Sequence, residues 1–155
     1  MFLIFLQQIS KSGQIMAKYN ITPPKQKNAA YRSLVNPQLM DVLKEKILKV
    51  ILLDKKYADP NYSAKQLASD LGTNTRYISA VISVKFHMNY TSFVNKFRIE
   101  EAMAIMNDKR YLSLNMQDIS AMVGFANRQS FYAAFYKVNG TTPLKYRRML
   151  LSGMS

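Results

Sequence analysis

Few side chains in this sequence have catalytic potential. His87 is the single histidine among 155 residues, and there is no cysteine. Disulfides, thiolate metal sites and cysteine nucleophiles are therefore excluded, and a two-histidine metal site cannot be built. A serine–histidine–aspartate triad would have to use His87. The nine Asp and Glu residues fall into no recognisable acid–base pair, so no enzyme, no metal and no cofactor is expected. His87 follows a helical stretch, where a C-terminal cap in left-handed geometry suits it better than catalysis. The abundant chemistry is cationic: 22 Lys and Arg against 9 acids give a formal charge of +13. An excess of this size repels itself and points to a polyanionic partner. Residues 1–37 hold five basic and no acidic residues, and residues 38–155 keep +8 from 17 basic and 9 acidic ones. The part that folds is basic in its own right.

The elements that must carry these charges are helical in pattern, and the 48% hydrophobic content is enough for a core. The apolar opening, Met1 to Leu6, is six residues long, whereas a membrane span needs about 20. It lacks the basic flank and cleavage site of a signal peptide. Residues 1–37 are read as a tail and linker, with Pro23 and Pro24 interrupting any period. From Asn36, a helix cap followed by Pro37, the apolar positions Leu39, Val42, Leu43, Ile47, Val50 and Ile51 repeat at helical spacing to about Asp54. Asp59 and Pro60 break that pattern. Ser63 and Gln66 have capping-box spacing, and Ala64, Leu67, Ala68 and Leu71 line one face before Gly72. A second short helix over Asn74–Phe86 buries Ile78, Val81 and Ile82, completing a helix-turn-helix unit.

The pattern then recurs. Shifted by 52 residues, Ala64, Leu67, Ala68, Leu71 and Gly72 fall on Met116, Ile119, Ser120, Val123 and Gly124. Shifted by 53, Asn74, Ile78, Val81, Ile82 and His87 fall on Asn127, Phe131, Ala134, Phe135 and Gly140, so the second turn is longer by one residue. Between the units, residues 90–107 read as one long helix with a rise of roughly 27 Å, comparable to a duplex repeat of about 34 Å once the flanking units are added. The expected fold is all-α, with two helix-turn-helix subdomains (63–87 and 115–140) joined by a long central helix (90–107) inside a domain spanning 38–151. Phe125, Phe131, Phe135 and Tyr146 would suit a stacking platform for single strands. Their helical spacing assigns them to the core instead.

These residues resemble the DNA-binding domain of the AraC/XylS family of transcription regulators over roughly residues 38–150. The similarity rests on Ile119, Val123, Gly124 and Phe125, on Phe131 and Phe135, and on Gly140, Thr142, Pro143, Tyr146 and Arg147. Leu67, Ala68, Leu71, Gly72, Tyr77, Ile78, Arg98, Ile99 and Ala102 extend it into the first unit. His87 replaces a usual Gly, Ile82 a common Phe and Ser120 a common Ala, while Ala80 and Ala133 stand where Arg is frequent.

The resemblance implies a sequence-specific regulator of double-stranded DNA whose second helix in each unit enters a major groove. It places Arg76, Ser79, Ala80 and Ser83 toward the groove in the first unit and Arg128, Gln129, Tyr132 and Ala133 in the second. Arg76, Arg128 and Gln129 have the donors for base-specific bonds, arginine to guanine and glutamine to adenine. The alternative for both arginines is a phosphate contact. Asn74, Thr75 and Asn127 are read as caps or phosphate contacts, and Arg148 as a phosphate contact. Arg147 is given a structural role, with Asp118 as one acidic partner. A cytoplasmic protein at the nucleoid, monomeric on DNA, is expected, with RNA polymerase as a second partner. A membrane link is expected only if the chain is the output part of a larger parent. The competing reading is a nonspecific basic architectural protein.

Overall fold

A computed structural model describes residues 35–153, so the expected tail lies outside the described residues except for Val35 to Pro37. Seven α-helices follow, and there is no strand among the described residues. The helix α1 spans Pro37–Leu48 and runs on through a π-helical turn at Lys49–Leu53. A 3-10 turn, Lys56–Ala58, leads to α2 (Ala64–Asp70) and α3 (Thr75–Phe86). The long α4 covers Tyr90–Asn107, and a second 3-10 turn, Lys109–Tyr111, leads to α5 (Met116–Met122), α6 (Arg128–Asn139) and α7 (Pro143–Gly153).

Local chemistry sets these boundaries. Each helix from α1 to α6 starts at a Ser or Asn whose side-chain oxygen accepts a first-turn amide: Asn36 from Leu39, Ser63 from Gln66, Asn74 from Tyr77, Asn89 from Ser92, Asn115 from Asp118 and Asn127 from Ser130. Each such cap contributes about 1 kcal/mol. The capping box expected at Ser63 is only half made, because the Gln66 amide donates to Asp70 Oδ1 at 2.9 Å instead of returning to the cap. The reciprocal box stands at Asn115, where Asp118 accepts the cap's own N–H. His87 ends α3 at φ 57°, the left-handed geometry expected of it, and Gly140 ends α6 at φ 68°.

Two cores are built on the two halves of α4. Phe93, Val94 and Phe97 join α1, α2 and α3 in the first, while Ile99, Ala102, Ile105 and Met106 join α5 and α6 in the second. Thus α1, α2, α3 and the first half of α4 form one unit, and the second half of α4, α5, α6 and α7 repeat the arrangement. The aromatic residues are core, as their spacing implied. Phe131 packs edge-on to Phe135 at 5.8 Å, and Phe135 to Tyr146 at 5.5 Å. Two arginines close the two units in the same way. Arg98 on α4 donates to the carbonyls of Tyr57 (2.6 Å) and Asp59 (3.0 Å), next to the first 3-10 turn. Arg147 on α7 donates to the carbonyls of Leu114, Tyr111 and Leu112, next to the second. The structural role expected of Arg147 is therefore met by backbone oxygens and not by Asp118, whose carboxylate is committed to the Asn115 cap.

At the surface, Lys85 on α3 bonds Asp41 on α1 at 2.5 Å, and Asp70 accepts the Tyr62 hydroxyl at 2.6 Å. These donors hold both carboxyls below the usual carboxylate range, Lys85 acting on Asp41 and Tyr62, then Gln66, on Asp70. A lowered folded-state pKa stabilises the fold above the unfolded value and is lost as pH falls through the folded one. The Asp41→Asn and Asp70→Asn double variant is expected to show a flatter fall in Tm than the wild type below about pH 4, measured by thermal unfolding across an acid series. At the left-handed cap, His87→Gly is expected to raise stability by about 0.5–1 kcal/mol in urea unfolding, since removing Cβ relieves more strain than the added backbone freedom costs.

Candidate nucleic-acid interface

The two helix-turn-helix turns are built alike. In the first, the N–H groups of Gly72 and Thr73 donate to the carbonyls of Ser69 and Ala68; in the second, those of Gly124 and Phe125 donate to Ala121 and Ser120. Both glycines have positive φ, +63° and +101°. Thr73 alone separates Gly72 from the Asn74 cap, whereas Phe125 and Ala126 separate Gly124 from Asn127, which is the extra residue legible in the repeat offset.

Each turn delivers the next helix with its first turn in solvent. Asn74, Thr75 and Arg76 are exposed at the start of α3, and Asn127, Arg128, Gln129 and Ser130 at the start of α6. Behind them Ile78, Val81 and Ile82, and likewise Phe131 and Phe135, have no solvent exposure, and Ala134 is buried too. The Asn74 and Asn127 oxygens are spent on their caps, which leaves only amide N–H groups to donate outward. That suits a phosphate oxygen better than the donor-and-acceptor pairing needed to read adenine.

The two helices differ along the rest of their length. In α6, Tyr132 is half-buried and Ala133 exposed, and the same outward stripe continues into Tyr136, 59% exposed, and Lys137. In α3, Ser79 and Ser83 are half-buried, and Ala80, expected toward the groove, is fully buried within the first core. The reason lies in the flanking side chains: Tyr77 and Val84, one turn either side of Ala80, pack on the first core, whereas Ser130 and Lys137 hold the matching positions of α6 and are exposed. A methyl group between two larger apolar side chains is covered. Ala80 therefore shapes the helix's seat and offers no surface of its own. Tyr136 and Lys137 are not among the positions that the resemblance turns toward the groove, although the 53-residue offset maps Ser83 onto Tyr136.

Arg76 and Gln129 have no hydrogen-bond or ion-pair partner among the described residues. Arg128 is different: its guanidinium lies 4.9 Å from the centre of the Tyr132 ring and donates to the Tyr132 hydroxyl at 3.0 Å. Stacking leaves the remaining N–H donors of the guanidinium edge free. Arg148 and Lys145 are exposed on α7, at the far end of the second unit.

Burial matters more along α4 and at the first 3-10 turn. Burial, then hydrogen bonding to Glu101, pushes the Tyr57 hydroxyl well above its ordinary pKa, and burial pushes Tyr90 up to about 12. Burial also lowers Lys96 and raises Glu100, each opposed by the other's charge. Among the described residues, no group of three His, Asp or Glu side chains gathers to hold a metal, and no helix is long and apolar enough to cross a membrane.

A family model described as a helix-turn-helix domain matches residues 67–149, more than half of the chain. Comparison with curated proteins gives no match. Among solved structures, the chain is similar to the C-terminal domain of the two-component response regulator yesN from Fusobacterium nucleatum, at 25% identity and TM-score 0.59, covering 67% of this chain and 96% of that one. It is also similar in fold to the C-terminal domain of AraT, a response regulator from Geobacillus stearothermophilus, at 21% identity and TM-score 0.60, covering 70% and 84%. A DNA-binding transcriptional dual regulator from Escherichia coli shares the fold at 14% identity and TM-score 0.58, covering 71% and 93%. The chain belongs to the AraC-type helix-turn-helix family of DNA-binding transcription regulators.

Proposed function

We propose that the domain at residues 38–151 binds specific duplex sites by placing the N-terminal turns of α3 and α6 in two successive major-groove segments. The observation that carries this reading is the repeated exposure of one helical turn per unit, residues 74–76 and 127–130, on helices whose opposite faces are seated in their cores. A major groove about 12 Å wide admits such a helix. Asn74, Thr75, Asn127 and Arg148 position the chain on phosphates. Arg76, Arg128 and Gln129 read base edges. Ser79, Ser83, Tyr132, Ala133 and Tyr136 line the groove with short polar, methyl and aromatic contacts, which suit sugar edges and thymine methyl groups. With two reading helices in one chain, a monomer covers two groove segments, and the protein acts at the chromosome in the cytoplasm, with RNA polymerase as a second partner.

The wider outward stripe of α6 gives the second unit more surface for discrimination than the first. Selection of bound sites from random duplexes is expected to return a defined motif. Arg76→Ala and Arg128→Ala should each relax preference at separate positions about one helical turn apart, by about 1–3 kcal/mol per contacted base pair. Sequence-blind binding by the wild type would replace this reading with that of an architectural coating protein. Identical motifs in all three proteins would reassign both arginines to phosphate.

The Arg128 and Tyr132 pair generates its own expectation. Tyr132→Phe keeps the stack and loses one hydrogen bond, whereas Tyr132→Ala loses both. In titrations of the selected duplex, Tyr132→Ala should weaken binding more than Tyr132→Phe, with a coupling to Arg128→Ala of about 0.5–1 kcal/mol in a double-mutant cycle. Additive effects would show that Arg128 works without the ring.

A further inference from the structure

The long helix α4 links the units, but a second contact joins them away from its axis. A Cβ at Gly124 would lie 2.6 Å from the Tyr57 carbonyl oxygen and 2.7 Å from the Ala58 carbonyl carbon and oxygen. The turn of the second helix-turn-helix thus rests directly on the main chain of the first unit's 3-10 turn. Gly72, the matching glycine of the first unit, has nothing within 4 Å of the same position. Its positive φ serves only its own turn, whereas that of Gly124 serves a docking contact as well.

The surroundings of Gly124 hold both sides of that contact. Arg98, at the middle of α4, bonds the Tyr57 and Asp59 carbonyls and places its guanidinium 5.5 Å from the centre of the Phe125 ring, next in sequence to Gly124. Phe125 is buried in the second core against Phe131, at 5.4 Å. On the other side Tyr57 packs on Phe97 at 6.4 Å and interacts with Glu101, both on α4. One arginine therefore bridges the loop of the first unit and the turn of the second.

We propose that Gly124, Arg98 and Phe125 form a lock that fixes the relative placement of α3 and α6, and so sets the spacing between the two half-sites that the protein accepts on DNA. The operator part of this inference rests on the two-groove reading above. These are positioning residues: Gly124 and Phe125 need no contact with DNA. A methyl group at Gly124 cannot be absorbed by a flexible side chain, because its neighbours are backbone atoms, so the second turn must withdraw from the first unit.

The absence of cysteine allows a direct test. Spin labels at Lys65→Cys on α2 and Gln117→Cys on α5, both exposed positions, report the distance between units by pulsed electron resonance. The otherwise wild-type pair should give one narrow distribution. Gly124→Ala should shift or broaden it, and Arg98→Gln, which leaves the glycine turn untouched, should broaden it too. Gly72→Ala also puts a side chain at positive φ, +63° against +101° at Gly124, but in open space, and should leave the distance unchanged. The same variants are then titrated with the selected duplex and with duplexes whose spacer is lengthened or shortened. Mis-spacing should weaken wild-type binding about a hundredfold, the loss of a second linked anchor, while Gly124→Ala should reduce that penalty to under about tenfold. Unchanged distances in both Gly124→Ala and Arg98→Gln overturn the lock. Altered distances with an unaltered spacer penalty overturn its role in operator choice. Spacer-independent binding by the wild type overturns the two-groove reading and the operator half of this proposal, while the distance data still decide the lock.

Discussion

A place where two backbones meet with no room for a methyl group is the constraint on which this molecule turns. Gly124 lies against the carbonyls of Tyr57 and Ala58, and Arg98 ties the same loop to α4 while covering Phe125. A helix of 18 residues sets how far apart its ends are, but it does not by itself set how two small bundles are rotated about it. A second contact off the helix axis removes that rotation. Protein interiors transmit such steric constraints because they are close-packed and compress little.

The repeat explains how so short a chain supports two reading units. Each half uses a scaffold helix, a capped short helix, a glycine turn and a capped second helix. Each is closed by an arginine that donates to carbonyls around a 3-10 turn. The central helix α4 serves as the closing helix of the first half and the scaffold helix of the second, so one element gives apolar residues to both cores. The units are alike in plan and unequal in surface. Ala80 on α3 is buried in the first core beside Tyr77 and Val84, whereas α6 keeps an outward stripe through Ala133 to Tyr136 and Lys137.

Much of this was legible in the residues because it is local. The Asn36, Asn74 and Asn127 caps, the left-handed end at His87, the longer second turn and the burial of Phe125, Phe131 and Phe135 follow from spacing within one or two turns of helix. What was not legible depends on partners distant in sequence. The family resemblance turns Ala80 toward the groove, yet it lies inside the first core, which α1, α2, α3 and α4 build together. Arg147 reads as one half of an ion pair and instead serves carbonyls 33 to 36 residues away, a role any loop oxygen can fill and no residue type announces. Gln66 has the capping-box position and is drawn to Asp70 one turn on. Gly124 announces its positive φ in its residue type, but nothing local tells that the first unit's main chain lies against it.

The account stands or falls on two helices reading one side of a duplex from a fixed frame. Hydroxyl-radical footprinting of the wild-type chain on its selected site tests this most directly. The account predicts two short protected segments on one face of the duplex, about one helical turn apart, with the intervening backbone left open to cleavage. A single protected segment, or continuous protection without a preferred face, would contradict it.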